Sequence, residues 1–231
     1  MAIGEHRLLY GLHTSLMTVM NEKKTQYVQY GCGPSGPKSW RNFDASPTLR
    51  FERIPLLGKL YIKNNTRFGS NIECGDIVKG LPFPPNTVNG VYASHVLEHL
   101  GLHDFRIALR NTHKILRPNG IFRLVVPDLK LHAENYARSE DPLAAVMFMK
   151  NTSLGINKKP RTLFSFLKFW LGNSSHLSMW DFNSLKHELL TAGFSNIRRC
   201  LCGDSEDRMF DELDDLKRFI DSVGIECRKP E

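Results

Sequence analysis

The chain has 231 residues, 41% hydrophobic and 24% charged, which excludes a collagen, a fully disordered chain and a disulfide-stapled miniprotein. Lys and Arg outnumber Asp and Glu by 31 to 24, and the formal charge of +7 favours anionic partners without choosing among nucleic acid, phosphorylated compounds and a membrane surface. Cys32, Cys74, Cys200, Cys202 and Cys227 form no CxxC pair, so they read as reduced thiols of a cytoplasmic protein, and no stretch reaches the ~18–20 apolar residues of a membrane helix.

Residues 5–20 carry Leu8, Leu9, Leu12, Leu16, Val19 and Met20 at helical spacing, with charges at Glu5, His6 and Arg7 that make a poor signal peptide. TQYVQYGCG is a β-rich run ending in glycines, and WRNFDAS is a second short strand ending at Asp44. Residues 47–63 have an apolar period around Leu49, Ile54, Leu57 and Leu60, NIECGD is a third strand, and LPFPPN is a loop because paired prolines cannot sit in a central strand. VNGVYAS is the fourth strand; His103–Leu116 follows as a helix that Pro118, Asn119 and Gly120 should stop. IFRLVVP is apolar on both sides except for Arg123, which suits the buried middle of a parallel sheet. Residues 129–175 are mostly helical and interrupt the alternation, so they are expected to form an insertion or cap. DFNSLKHELLTAG is a helix with Asp181 as N-cap and Gly193 beyond its end. NIRRCLCG and SVGIECRK are two β-like runs around an acidic stretch at 204–221. The order is that of an α/β doubly wound fold in one domain, 1–231.

Gly31-Cys32-Gly33-Pro34-Ser35-Gly36 is a GxGxxG directly after a strand, where glycines let the backbone approach a nucleotide-like ligand. Asp44 ends the next strand, where a carboxylate can accept two hydrogen bonds from a ribose diol, and Asp76 ends the third at the same edge. Pro34 and Pro37 disfavour a helix after the glycines. The crossover to the strand starting near Trp40 is shorter than the dozen or so residues of a normal βαβ unit, which counts against NAD or FAD.

These residues resemble class I S-adenosylmethionine-dependent methyltransferases, in particular small type 11-like methyltransferase-domain proteins with a GCG loop. The resemblance covers residues 26–127 most strongly, through YVQYGCGPSG, WRNFD, ECGDIVKGLPFPPNTVNGVYASHVLEHL and ALRNTHKILRPNGIFRLVVPDL; SSHLSMWDFNSLKHELLTAGFSNIRRC fits the closing helix and strand pair. It implies a Rossmann-like α/β fold with a seven-stranded, mostly parallel sheet, helices on both faces and an antiparallel last strand. It also implies S-adenosyl-L-methionine as cofactor. The loop of Gly31, Cys32 and Gly33 would line the methionine and ribose, Asp44 would hold the ribose hydroxyls, and Asp76, with Ile77 nearby, would receive the adenine amino group. Ser94 and His95 would lie near the methyl donor. Gln29 stands where many such enzymes have an acidic residue, so an amide would meet the cofactor's amino group there.

His95-Val96-Leu97-Glu98-His99 matches an H-x-x-E-H zinc signature, which needs a helix bringing His95 and His99 to one face and a third ligand downstream. The run follows a strand at once, so both histidines are expected in the active-site wall, and no metal is assigned. Phe83-Pro84-Pro85-Asn86 is a reversed Asn-Pro-Pro-aromatic motif on the wrong side of the fourth strand, which counts against methylation of exocyclic base amines. An acceptor hydroxyl must lose its proton, and His95, Asp128 and His176 are the candidate catalytic bases, with Asp181 as N-cap the plainer reading beside them. Lys158-Lys159-Pro160-Arg161 before LFSFLKFWLG reads as a helix packed on the core or over the substrate, with Trp170 a candidate stacking surface for a sugar. The expected reaction is methyl transfer to an oxygen or nitrogen of a small molecule, a saccharide first. The alternatives are a nucleic-acid methyltransferase, a non-catalytic protein of the same fold, or an NAD-binding oxidoreductase.

Overall fold

A computed structural model describes residues 26–34, 36–55, 67–155, 162 and 175–231. The opening helix at 5–20, Leu57 and Leu60, Lys158 to Arg161, and the aromatic segment 163–172 with Trp170 lie outside them.

Among the described residues the strands are β1 (Tyr27–Tyr30), β2 (Arg41–Asp44), β3 (Ile72–Cys74), β4 (Val88–Ser94), β5 (Leu116–Pro127), β6 (Ser195–Cys200) and β7 (Ser222–Arg228). They form one seven-stranded sheet in the order β3-β2-β1-β4-β5-β7-β6. β1 through β5 pair in parallel, and β7 runs antiparallel to both β5 and β6. This is the expected sheet, including its one reversed strand.

Alternation along the strands divides the interior into two faces. Val28, Tyr30, Val91, Phe122, Leu124, Val223 and Ile225 point to the larger core. Two helices cover it: α2 (Leu102–Ile115), which buries Phe105, Ala108 and Leu109, and α5 (Phe182–Thr191), which buries Leu185 and Leu189. Trp180 stacks on Phe105 at 4.1 Å and ties the start of α5 to that core. On the other face Tyr27, Trp40, Tyr92 and Ile121 pack around Phe210, from the 3-10 turn Arg208–Glu212. The short helix α6 (Leu216–Phe219) sets Phe219 over Arg123 on that face.

Local sequence explains the element ends. Asp181 Oδ1 accepts from the Ser184 N–H at 2.8 Å while the Ser184 hydroxyl accepts from the Asp181 N–H at 3.0 Å, a full capping box, and Gly193 leaves α5 at φ 95. Another short helix, α1 (Pro47–Glu52), starts under the Ser46 cap with proline in its first turn. Between β1 and β2 the described residues form no helix: the Trp40 N–H and the Asn42 side chain both bond the Pro37 carbonyl.

One boundary differs from expectation. The helix ends at Ile115, one residue before the expected Leu116, but the strand starts before Pro118-Asn119-Gly120 rather than after it, with pairing from Leu116 opposite Val88. Pro118-Asn119-Gly120 is an irregularity inside β5: Asn119 sits at φ 61, and the Asn119 N–H and Gly120 carbonyl both bond the Lys229 backbone. A register shift between Val88 and Gly90 absorbs it, as a β-bulge does.

Arg123, the lone charge in the apolar run, is fully buried. Its guanidinium bonds Asp214, Asp204, Glu226 and the Leu201 carbonyl, all distant in sequence. Burial pulls its pKa down, but Asp214 and the neighbouring acceptors outweigh that and hold it above the usual arginine value.

Candidate active site

The parallel registers align the strand ends. Tyr30 is opposite Phe43 and Asp44 opposite Cys74, so Gly31, Asp44 and the residues after β3 share one edge; Gln29 is opposite Tyr92, which brings Ser94 level with Gly31. This is the carboxyl edge, where open α/β sheets hold ligands. Asp76 lies two residues past β3, rather than in it.

Gly31 and Gly33 have φ of 64 and 65, a conformation that favours glycine. A Cβ at Gly31 would land on the Val96 methyls, so glycine lets the loop sit against the turn after β4. A Cβ at Gly33 would meet nothing within 4 Å, so this part of the loop fronts open space. The Cys32 N–H bonds the Phe43 carbonyl at 3.2 Å, and burial pushes the Cys32 thiol up to about 12, which makes it a packed neutral group and no nucleophile.

Asp44 is buried and already holds two backbone donors. Oδ2 accepts from Gly33 N–H at 2.9 Å and Oδ1 from Ser46 N–H at 2.8 Å. Each oxygen retains a second lone pair, so the carboxylate can still receive hydroxyls while it fixes the glycine loop. Asp76 Oδ1 accepts from the Val78 N–H at 3.0 Å, closing a turn over the buried Ile77. Gln29 Oε1 and Ser94 Oγ are buried with no partner, although buried polar atoms are ordinarily satisfied. An open glycine cradle, two carboxylates with free lone pairs and two orphaned acceptors along one edge fit a nucleoside with an amino-acid tail.

The three candidate bases differ in surroundings. His95 adopts φ 54 directly after β4. Its Nε2 is 2.9 Å from the Arg218 carbonyl and its Nδ1 is 3.4 Å from Glu98 Oε1; Glu98 raises its pKa against the effect of burial. Asp128 caps the next helix, α3 (Leu129–Arg138), through Oδ1, while Oδ2 faces Arg199 at 3.8 Å. His176 is 4.0 Å from Glu98 and its pKa is lowered by burial. The H-x-x-E-H run does not build the helical zinc site its spacing suggests: only Leu97–His99 forms a 3-10 turn, and His95 and His99 bond carbonyls of different segments. The grouping of Glu98 and His99 with His176 went unseen in sequence, because 77 positions separate His176 from His99.

The segment after β5 forms α3 and a further helix, α4 (Ala144–Asn151), which pack on each other through Tyr136 and Phe148. A cleft of about 210 Å³ opens between them, lined by His132, Asn135, Tyr136, Phe148, Asn151 and Asp221. No helix among the described residues is long and apolar enough to cross a membrane.

Residues 52–124 match the methyltransferase domain family. Similar solved structures include a SAM-dependent methyltransferase of Methanosarcina mazei (12% identity, 93% of this chain and 97% of that one, TM-score 0.49). Another comes from Archaeoglobus fulgidus (13%, 95% and 94%, 0.46). A third is phosphoethanolamine N-methyltransferase 2 of Haemonchus contortus in complex with phosphomonomethylethanolamine and S-adenosylhomocysteine (11%, 96% and 53%, 0.46). No curated protein matches the sequence significantly. The matched segment, about a third of the chain, runs from the end of α1 into β5 and carries Asp76, Ser94 and His95.

Proposed function

We propose that this chain, read as a single cytoplasmic domain over 1–231, moves a methyl group from S-adenosylmethionine to an oxygen or nitrogen of a small molecule, a saccharide being the first candidate. The observation that carries the reading is the carboxyl edge of the sheet, where the open side of Gly33 adjoins Asp44, Asp76 and Ser94. In this reading Gly31, Cys32 and Gly33 line the methionine and ribose, Asp44 takes the ribose hydroxyls, and Asp76 with Ile77 takes the adenine. Gln29 Oε1 and Ser94 Oγ accept from donor N–H groups, which would satisfy both orphaned atoms.

The cofactor supplies a methyl group already activated on a sulfonium. The residues therefore act chiefly by alignment, since holding two reactants in line supplies much of the rate. In this reading His95 or Asp128, which directly follow β4 and β5, receives the acceptor's proton. The 129–175 segment acts as the cap that selects the acceptor. Its cleft combines two aromatic rings with amide and carboxylate groups, a lining suited to a polyhydroxylated ring.

Transfer of labelled methyl from S-adenosylmethionine, assayed against a panel of sugars, other small hydroxyl and amine compounds, RNA and protein, tests this. Label in a small molecule is the expected result. Label in RNA alone would replace the reading with the nucleic-acid alternative.

A further inference from the structure

Glu98 is fully buried, and neither of its carboxylate oxygens has a hydrogen-bond partner. A buried charge normally has a partner or a metal, because its hydration is gone. The groups that face it are histidines. One carboxylate oxygen of Glu98 and one nitrogen each of His99 and His176 lie within 4.8 Å of one another, and the two rings are 5.0 Å apart. His95 also reaches this carboxylate, with Nδ1 3.4 Å from Oε1, an ion pair when that ring is protonated, while Oε2 has no hydrogen-bond partner.

The cluster is held in place by its backbone. The Leu177 and Ser178 N–H groups both bond the Glu98 carbonyl, at 2.8 and 3.0 Å, and the Ser178 hydroxyl bonds the Leu100 carbonyl. These bonds clamp the His176 segment onto the Leu97–His99 turn. His99 Nδ1 stands 3.1 Å from the Ser175 carbonyl, which takes the proton on that nitrogen and leaves the lone pair on Nε2. A carbonyl that fixes the tautomer and direction of an imidazole is the usual support of a metal-binding histidine. His176 Nδ1 is also buried without a partner.

We propose that Glu98, His99 and His176 bind one divalent transition-metal ion. Two imidazoles and one carboxylate are a ligand set for zinc or iron-class ions, with at least one coordination position left for water or a ligand oxygen. Ligand distances near 2.0–2.2 Å require the three donors to close on the ion by a small movement. The site adjoins the end of β4, but the inference does not depend on methyl transfer and is tested without it.

The full chain is dialysed against chelator, and Zn2+ and Co2+ are titrated by calorimetry, with the Co2+ absorption spectrum and the melting temperature followed alongside. The expected result is one ion per chain, a visible Co2+ spectrum of nitrogen and oxygen ligation, and a rise in melting temperature with metal. Glu98→Gln, His99→Ala and His176→Ala should each weaken binding at least tenfold. Chelated variants are first shown to be folded by far-UV circular dichroism; if one is not, His176→Asn or His99→Gln replaces it. Absence of saturable binding by the wild type would overturn the proposal. So would binding that survives all three substitutions, or a thiolate-type Co2+ spectrum, which would place the ion on exposed Cys74 or on Cys202.

Discussion

Replacing Asp44 probes the link between the glycine loop and the cofactor. Its two oxygens hold Gly33 N–H at 2.9 Å and Ser46 N–H at 2.8 Å, in a buried setting. Hydrogen bonds to a charged group contribute about 1.5–3 kcal/mol each, and unpaired donors in a partly wet loop recover some of that in water. Asp44→Ala should therefore lose about 2–4 kcal/mol of stability, and Asp44→Asn about half as much, since the amide keeps one acceptor and turns N–H groups toward the other donor. Read from sequence, the carboxylate serves the ribose hydroxyls; the loss of stability reports its added hold on the backbone. Urea denaturation measures the first effect. Calorimetry with S-adenosylhomocysteine measures the second, expected as a fall of about 10–100-fold from lost ribose contacts. A variant with the wild-type midpoint and the wild-type affinity would refute both roles.

Other perturbations follow from single contacts. Gly31→Ala should cost about 2–4 kcal/mol, from the left-handed backbone and from overlap with Val96. Adding Val96→Ala should restore the overlap part and not the backbone part, which a double-mutant cycle of urea midpoints reads. Arg123→Met leaves Asp214 buried without its cation, while Glu226 keeps Arg198 at 2.7 Å, and should lose about 3–5 kcal/mol by the same melt. A loss under 1 kcal/mol would show that water or Arg198 replaces it. The Arg106 guanidinium bonds Glu188 and holds its carboxyl below the ordinary value of 4.5. That stabilisation is present above pH 4.5 and fades as pH falls through the lower folded value, so the urea midpoints of wild type and Arg106→Gln should converge in acid.

The sheet was legible because its strands are short apolar runs bounded by glycine, proline or aspartate, and each strand end carries its own signal. VNGVYAS became β4 without adjustment. The start of β5 was not legible, since Pro118-Asn119-Gly120 has the composition of a helix stop and only pairing with Val88 and the Lys229 backbone makes it a bulge. Arg123 looked like an anomaly in an apolar strand; its partners Asp204 and Asp214 come from a stretch that reads merely as acidic, and Glu226 from the closing β run. At the site, Gly31, Gly33, Asp44 and Asp76 stood out by position after strands. The Glu98 environment did not, because local spacing favoured His95 with His99, whereas backbone bonds from Leu177 and Ser178 supply His176 instead.

The central claim is that the carboxyl edge around Gly33, Asp44 and Asp76 holds S-adenosylmethionine. Calorimetric titration of the wild-type chain with S-adenosylhomocysteine, beside a parallel titration with NAD, tests it most directly. Saturable binding of one S-adenosylhomocysteine per chain with no heat from NAD is the predicted result. Saturable binding of NAD, or no binding of S-adenosylhomocysteine by folded protein, would contradict it.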